Sequence, residues 1–318
     1  MIIDIHMHLG DFLYPNGKFQ IYSSSSLPNP FNIQRFEEDI LLFRGNTLTK
    51  RFFEKYDDAY TISVKNRIHE ASLKNLQQHK RKLKRLCQKL FADADVFFAC
   101  MPIAPGVTFN DVLEASYSDS TIIPFTTINP DASVSEQCKQ IETDMETAYG
   151  LKLHPIIQGV PFDSEITLSV LEVVQSSGKP VLFHAGASRY YVGDEAKYQH
   201  CDYDSIAAAK KMIDSFPNIK FIMGHAGIAE YKDWASEFSK YENVFCDGTV
   251  QSAPSLRWIL NAYGEDRIMY ASDFPCVRTE PTIKAYLKAF SPRIREKVFF
   301  RNALEVLQIT DLELRSRL

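Results

Sequence analysis

The sequence predicts an α/β protein folded as a closed (β/α)8 barrel, and three observations lead there. Eight short apolar runs recur along the 318 residues, and segments of helical periodicity separate most of them. No GxGxxG follows the first run, which counts against an open dinucleotide-binding sheet.

The first run is "MIIDIHMH" at the N-terminus, and the others lie near 95–102, 122–130, 150–155, 179–186, 219–227, 243–250 and 267–275. They are apolar on both faces, as strands of a parallel sheet covered on both sides should be. "SVSEQCKQIETDMETAYG" has a Ser start, early acids and a Gly stop, and "ITLSVLEVVQSSG" and "YDSIAAAKKMIDSFP" read as helices ended by Gly or Pro. The first unit departs from this rhythm. Residues from about 11 to 65 read as an elaborated loop over the barrel mouth, and "RIHEASLKNLQQHKRKLKRLCQKLFADAD" reads as one long helix after it. The expectation is thus a distorted TIM barrel, a single domain over 1–318 with an insertion after strand one.

Apolar residues make up 45% and charged residues 24%, the balance of a chain that buries a large core. A net charge of -4 favours neither nucleic acid nor an anionic membrane, and "HKRKLKR" reads as the solvated face of a helix. Six scattered cysteines form no CxxC pair and read as reduced thiols. The first strand begins at once, leaving no room for a signal peptide, and no apolar run is long enough to span a bilayer. A cytoplasmic protein with a small-molecule substrate is expected. A homo-oligomer is compatible with the sequence, and nothing in it decides the oligomeric state.

Active sites of such barrels lie at the C-terminal ends of the strands. Strand one ends in His6 and His8, which alternation places on one face with Ile5 and Met7 on the other. Strand four carries Lys152 and His154, strand five ends in His184, strand six in His225 and strand eight in Asp273. Five of the eight histidines thus fall at strand ends, whereas His69, His79 and His200 fall in helix or loop. Neutral imidazole and carboxylate are ligands for zinc, manganese and iron(II), and His6, His8, His184 and Asp273 would make a three-nitrogen, one-oxygen site.

These motifs ("DIHMH", "LKLHP", "FHAG", "GHAG" and "ASDFP", in order, with "FRNALEVLQI" at the end) resemble the amidohydrolase superfamily, and within it the amidohydrolase-related (amidohydrolase 2) branch. That branch holds hydrolases and also non-oxidative decarboxylases similar to aminocarboxymuconate-semialdehyde decarboxylase. The resemblance implies that His6, His8, His184 and Asp273 hold one divalent metal, commonly zinc, with manganese as the alternative. It implies that His225 sits beside the metal and helps activate water or handle a proton, and His225 or Asp273 is expected to take the proton in catalysis. In binuclear relatives a strand-four lysine is carboxylated and bridges two metals; in this branch one metal is usual, and Lys152 is expected as an ordinary amine.

The leading expectation is metal-dependent hydrolysis of an ester, lactone or amide by activated water. The alternative is metal-dependent decarboxylation of an aromatic or enol-type acid. Candidate substrate contacts are Lys152, His154, Arg189, Tyr190 and Arg278, with Tyr191, Arg44 and Arg51 as further candidates. A metal-free lactonase and a catalytically silent barrel are the remaining alternatives.

Overall fold

The computed structural model describes residues 1–13, 46–72, 77–88 and 94–318. Parallel strands run in the order β1 (Ile2–Met7), β2 (Val96–Cys100), β3 (Ile122–Pro124), then β4 (Thr126–Thr127), β5 (Leu151–Leu153), β6 (Val181–His184), β7 (Phe221–Gly224), β8 (Val244–Asp247) and β9 (Ile268–Met269). Each lies where an apolar run predicts a strand, and the run at 122–130 becomes two. Pro124 has no N–H to give. Beside it Phe125 N–H donates to Cys100 O while Thr126 N–H donates to Gly150 O, so the chain changes partner from β2 to β5 between β3 and β4. After β9, Tyr270 O accepts from Ile5 N–H, Asp273 N–H donates to His6 O, and Met7 bridges to Phe274. The eighth strand segment therefore lies beside the first, in a TIM-barrel arrangement.

Helices follow the strands and pack on their outer faces. Ser133 caps Val134–Asp144 in a capping box with Glu136, Ser164 caps Glu165–Ser177, and Ser205 caps Ile206–Ser215. Gly178, at φ 69°, ends the second of these where the Gly stop was expected. An inner core draws Ile3, Phe97, Ile123, Leu182, Ile222, Phe245 and Met269 from β1, β2, β3, β6, β7, β8 and β9. The same core takes in Phe300, Leu304 and Leu307 from the C-terminal helices. Asn302 pins those helices to the last strand by donating to Glu265 O and Ile268 O, each at 2.8 Å. A second core, with Val96, Phe98, Leu151, Val181 and Phe183, fills the layer between strands and helices.

The insertion differs from the expectation. Residues Asn46–Ser72 form one 27-residue helix, so the stretch from 46 to 65 is not a loop, and the long helix expected from 67 ends at Ser72. A separate helix covers Gln77–Cys87. The reason lies in the buried residues of the first helix, which among those described are Thr61, Ile62, Val64, Lys65 and Ile68. The spacing is helical, but two of the five residues are polar and mask the apolar period. The rest of the insertion reading, 14–45, lies outside the described residues.

Cys100, Cys246 and Cys276 are buried free thiols, and burial pushes the first two well above the ordinary thiol range. Among the described residues no helix is long and apolar enough to cross a membrane.

Gly186, just past β6, has φ +98° and touches the loop after β7: a Cβ here would come within 2.5 Å of the Gly227 carbonyl. Gly186→Ala is expected to lower stability by about 2–3 kcal/mol, read by urea denaturation, through both the clash and the left-handed backbone.

Candidate functional site

The two N-terminal histidines reach the barrel interior through a bulge. Asp4 pairs with Phe98 but Met7 pairs with Cys100, so β1 spends three steps where β2 spends two. Asp4 Oδ1 braces the irregularity, accepting from His6 N–H at 3.4 Å and Ser272 N–H at 2.9 Å. Plain alternation would put Ile5 opposite His6. With the extra residue Ile5 joins the inner core while His6 and His8 also turn inward above it.

Hydrogen bonds set the tautomer of each ring. His6 Nδ1–H donates to Asp247 Oδ2 at 2.9 Å, and His8 Nδ1–H donates to Met101 O at 2.7 Å. His184 Nε2–H donates to Gly186 O at 3.0 Å, leaving Nδ1 buried with no hydrogen-bond partner among the described residues. Thr249 Oγ1 gives its proton to Asp247 Oδ1 at 2.6 Å and so accepts from His225 Nδ1–H, also at 2.6 Å. Every ring therefore keeps one lone pair uncommitted by these bonds. The ring centroids lie 5.1 Å (His6–His8), 5.0 Å (His6–His225) and 4.9 Å (His184–His225) apart. Burial holds His6 and His225 well below the usual imidazole range and brings His184 to about 3. All three are neutral, the state a metal requires.

Asp273 stands opposite, with Oδ1 3.4 Å from His8 Nε2 and 3.8 Å from His6 Nε2, and burial raises its pKa. Ligand atoms of His6, His225 and Asp273 lie within 4.8 Å of one another. His225, expected beside the metal, thus joins His6 and Asp273 in that close group, while His8 and His184 of the ligand set read from the sequence fall outside it. The orphaned His184 nitrogen, the inward lone pairs and the Asp273 carboxylate suit a divalent cation such as zinc or manganese.

Lys152 completes the cluster. It is 0% exposed, and its ammonium donates to His6 Nε2 at 2.9 Å. Burial lowers its pKa to about 8, against the opposing pull of Asp273 and Asp247.

The backbone is bent where these groups sit. His225 and Asp273 have φ of 61° and 51°, in the left-handed region that side chains seldom occupy outside functional sites. The Gln251 amide holds the first bend by donating to His225 O and Ile228 O, and Asp247 Oδ1 accepts His225 N–H at 3.0 Å.

The other candidates take separate places. His154 stacks on His184 with centroids 4.2 Å apart and shares a 3.0 Å hydrogen bond with the Tyr190 hydroxyl. Arg189 pairs with Asp58 of the insertion helix at 2.6 Å, and Tyr191 donates to Leu13 O. Arg278 precedes the helix Thr279–Ala289 and lines a cleft of about 210 Å³ with Arg67 and Lys82. Phe274 and Pro275 wall that cleft, and none of the site histidines lines it. Arg44 and the side chains of Arg51 and His79 lie outside the described residues. His69 pairs with Asp11, and His200 stacks on Tyr203.

Asp247, Thr249 and Gln251 were not singled out in the sequence. The signal was there: Asp247 ends a strand in "NVFCDGTV", the criterion that selects the histidines.

A family model described as amidohydrolase matches residues 110–309, well over half of the chain. The chain belongs to the amidohydrolase family. The matched stretch of this amidohydrolase contains "LKLHP", "FHAG", "GHAG" and "ASDFP" and begins after strand one. Among solved structures it is similar to an uncharacterized TIM-barrel protein from Bordetella bronchiseptica, with TM-score 0.65 and 13% identity over 96% of this chain and 98% of that one. It is also similar to 5-carboxyvanillate decarboxylase from Sphingomonas paucimobilis, with TM-score 0.59 and 14% identity over 97% and 99% of the two chains. A third is a dihydroxybenzoic acid decarboxylase from Polaromonas sp. JS666 with bound manganese and the inhibitor 2-nitroresorcinol, with TM-score 0.54 and 14% identity over 86% and 93%. No curated protein matches the sequence.

Beside this cluster Asp204 is largely enclosed, and neither carboxylate oxygen has a hydrogen-bond partner among the described residues. Burial pushes its pKa from 3.8 to about 8, with the Glu230 charge adding to the rise. The folded protein thus holds a proton that the unfolded chain releases, so stability falls as pH climbs through that window. Asp204→Asn is expected to be more stable than the wild type by about 1–3 kcal/mol at pH 8 and nearly equal to it near pH 4, by urea denaturation at both values.

Proposed function

We propose that this amidohydrolase is a metal-dependent, non-oxidative decarboxylase of a small aromatic or enol-type carboxylic acid. The observation that carries the reading is Lys152, an ammonium buried among the metal-ligand candidates. Asp273 and Asp247 are the carboxylates that act on the Lys152 ammonium, and with His6, His184 and His225 neutral the groups around that ammonium carry a single negative charge. A divalent cation turns that into a single positive charge, and a buried unbalanced charge is costly. One carboxylate from the substrate restores neutrality. The leading hydrolase expectation has a neutral ester, lactone or amide as substrate, which leaves that charge to be met by hydroxide. The acids named for the two decarboxylases of similar fold give the substrate class to try first.

In this reading His6, His8, His184 and Asp273 hold the cation, with His225 beside it or sharing in its binding. Bound there, it would neutralise the carboxylate and an adjacent oxygen and draw electron density from the bond to be broken. Asp247 orients His6 and the His225 backbone, and Thr249 orients the His225 ring. Tyr190, held by His154, offers a hydroxyl at one wall. Asp273 or His225 would first take up a proton from water as the acid binds, and burial raises the Asp273 pKa toward that state. That proton would pass to the substrate carbon as its bond to the carboxylate breaks, the bonding pair stays with the carbon, carbon dioxide leaves, and the donor returns to its starting state.

Protein purified without chelator is expected to carry about one metal per chain by elemental analysis. With manganese or zinc it should release carbon dioxide from 2,6-dihydroxybenzoate or 5-carboxyvanillate in preference to hydrolysing simple lactones and esters. Hydrolysis without decarboxylation would return the site to the water-activating reading. Asp247→Ala is expected to weaken metal affinity by about 10–100-fold by freeing the His6 tautomer that Asp247 now fixes, measured by titration of stripped protein.

A further inference from the structure

We propose that Lys152 is a resident cation that couples metal binding to recognition of an acidic substrate, an inference that rests on the metal-dependent reading above and deepens it. His6 Nδ1 is committed to Asp247, so Nε2 is the only atom His6 can offer a metal. Lys152 already donates to that atom at 2.9 Å. A lone pair engaged by an N–H cannot also bind a cation, so metal loading must break this contact. Lys152 is fully buried, and its released ammonium stays within reach of the same cavity.

Metal loading would then have two effects. It turns the net charge of the site from negative to positive, and it frees a flexible group with three donors where a carboxylate would arrive. The metal-free site repels an organic acid, whereas the loaded site receives it with an unengaged ammonium. Lys152 opposes the metal and favours the acid. A lysine kept only for packing would do neither, and a carboxylated lysine bridging two metals would favour the metal.

The test uses full-length wild type, Lys152→Met and Lys152→Gln, each stripped of metal and titrated calorimetrically with manganese or zinc, then with 2,6-dihydroxybenzoate. Both variants are expected to bind metal tighter than wild type by about tenfold or more, since a like charge has been removed from the site. Once loaded, they should bind 2,6-dihydroxybenzoate more weakly than loaded wild type by about tenfold or more. Metal-free wild type should bind none. Circular dichroism checks the fold, and the Gln variant carries both readings if the Met variant does not fold. Unchanged or weaker metal affinity in the folded variants overturns the proposal, as does a second, bicarbonate-dependent metal in wild type or loaded wild type that ignores the acid. A wild type that binds no metal overturns the decarboxylase reading and this coupling together; a wild type that binds one, with variants like it, overturns the coupling alone.

Discussion

The site depends on one carboxylate. Asp247 accepts from the His6 ring with one oxygen and from His225 N–H, Thr249 N–H and the Thr249 hydroxyl with the other. These bonds draw three neighbourhoods onto a single rigid group: the end of β1, the loop after β7 and the turn after β8. Fully buried, Asp247 needs all of these donors to offset lost hydration, and each donor is placed by meeting that need. The left-handed backbone at His225 follows from the same anchoring, with Gln251 gripping the carbonyl side of the bend.

Around that anchor the barrel supplies neutral nitrogen bases in a dry setting. Burial disfavours the imidazolium form, and the outer nitrogen of each ring is already spent on an oxygen acceptor. Preorganisation of this kind lets a small set of side chains meet incoming charge without rearranging water. The loops above join the insertion helix through Arg189 with Asp58 and Lys65 with Glu195, so the helix braces the wall that carries Tyr190 and Tyr191.

The strand-end residues were legible because parallel strands are otherwise apolar, and a histidine in such a run stands out. The same rule covers Asp247, but an isolated aspartate before glycine also reads as an ordinary turn, so it was passed over. The bulge in β1 left no mark on alternation. Its brace, Asp4, acts on Ser272 far along the chain, and a register shift shows only when both strands are in view. The insertion helix was hidden by Thr61 and Lys65 in its buried stripe. Lys65 is there because Glu195, from a distant loop, meets its charge at 2.5 Å. In each case a partner remote in sequence decides the local structure.

The pairing of β1 with the segment after β9 has a consequence for biosynthesis. His6 and His8 are synthesised about 260 residues ahead of the chain that holds them in place, from Tyr270 to Phe274, which follows only after nearly the whole barrel. Contacts so far apart in sequence form late in folding. The nascent chain therefore carries half of its histidine cluster without the Asp273 side of the pocket. Any ion held between β1 and Asp273 would be captured only after that strand is made, and a polypeptide cut short before it would lack the carboxylate side of the pocket.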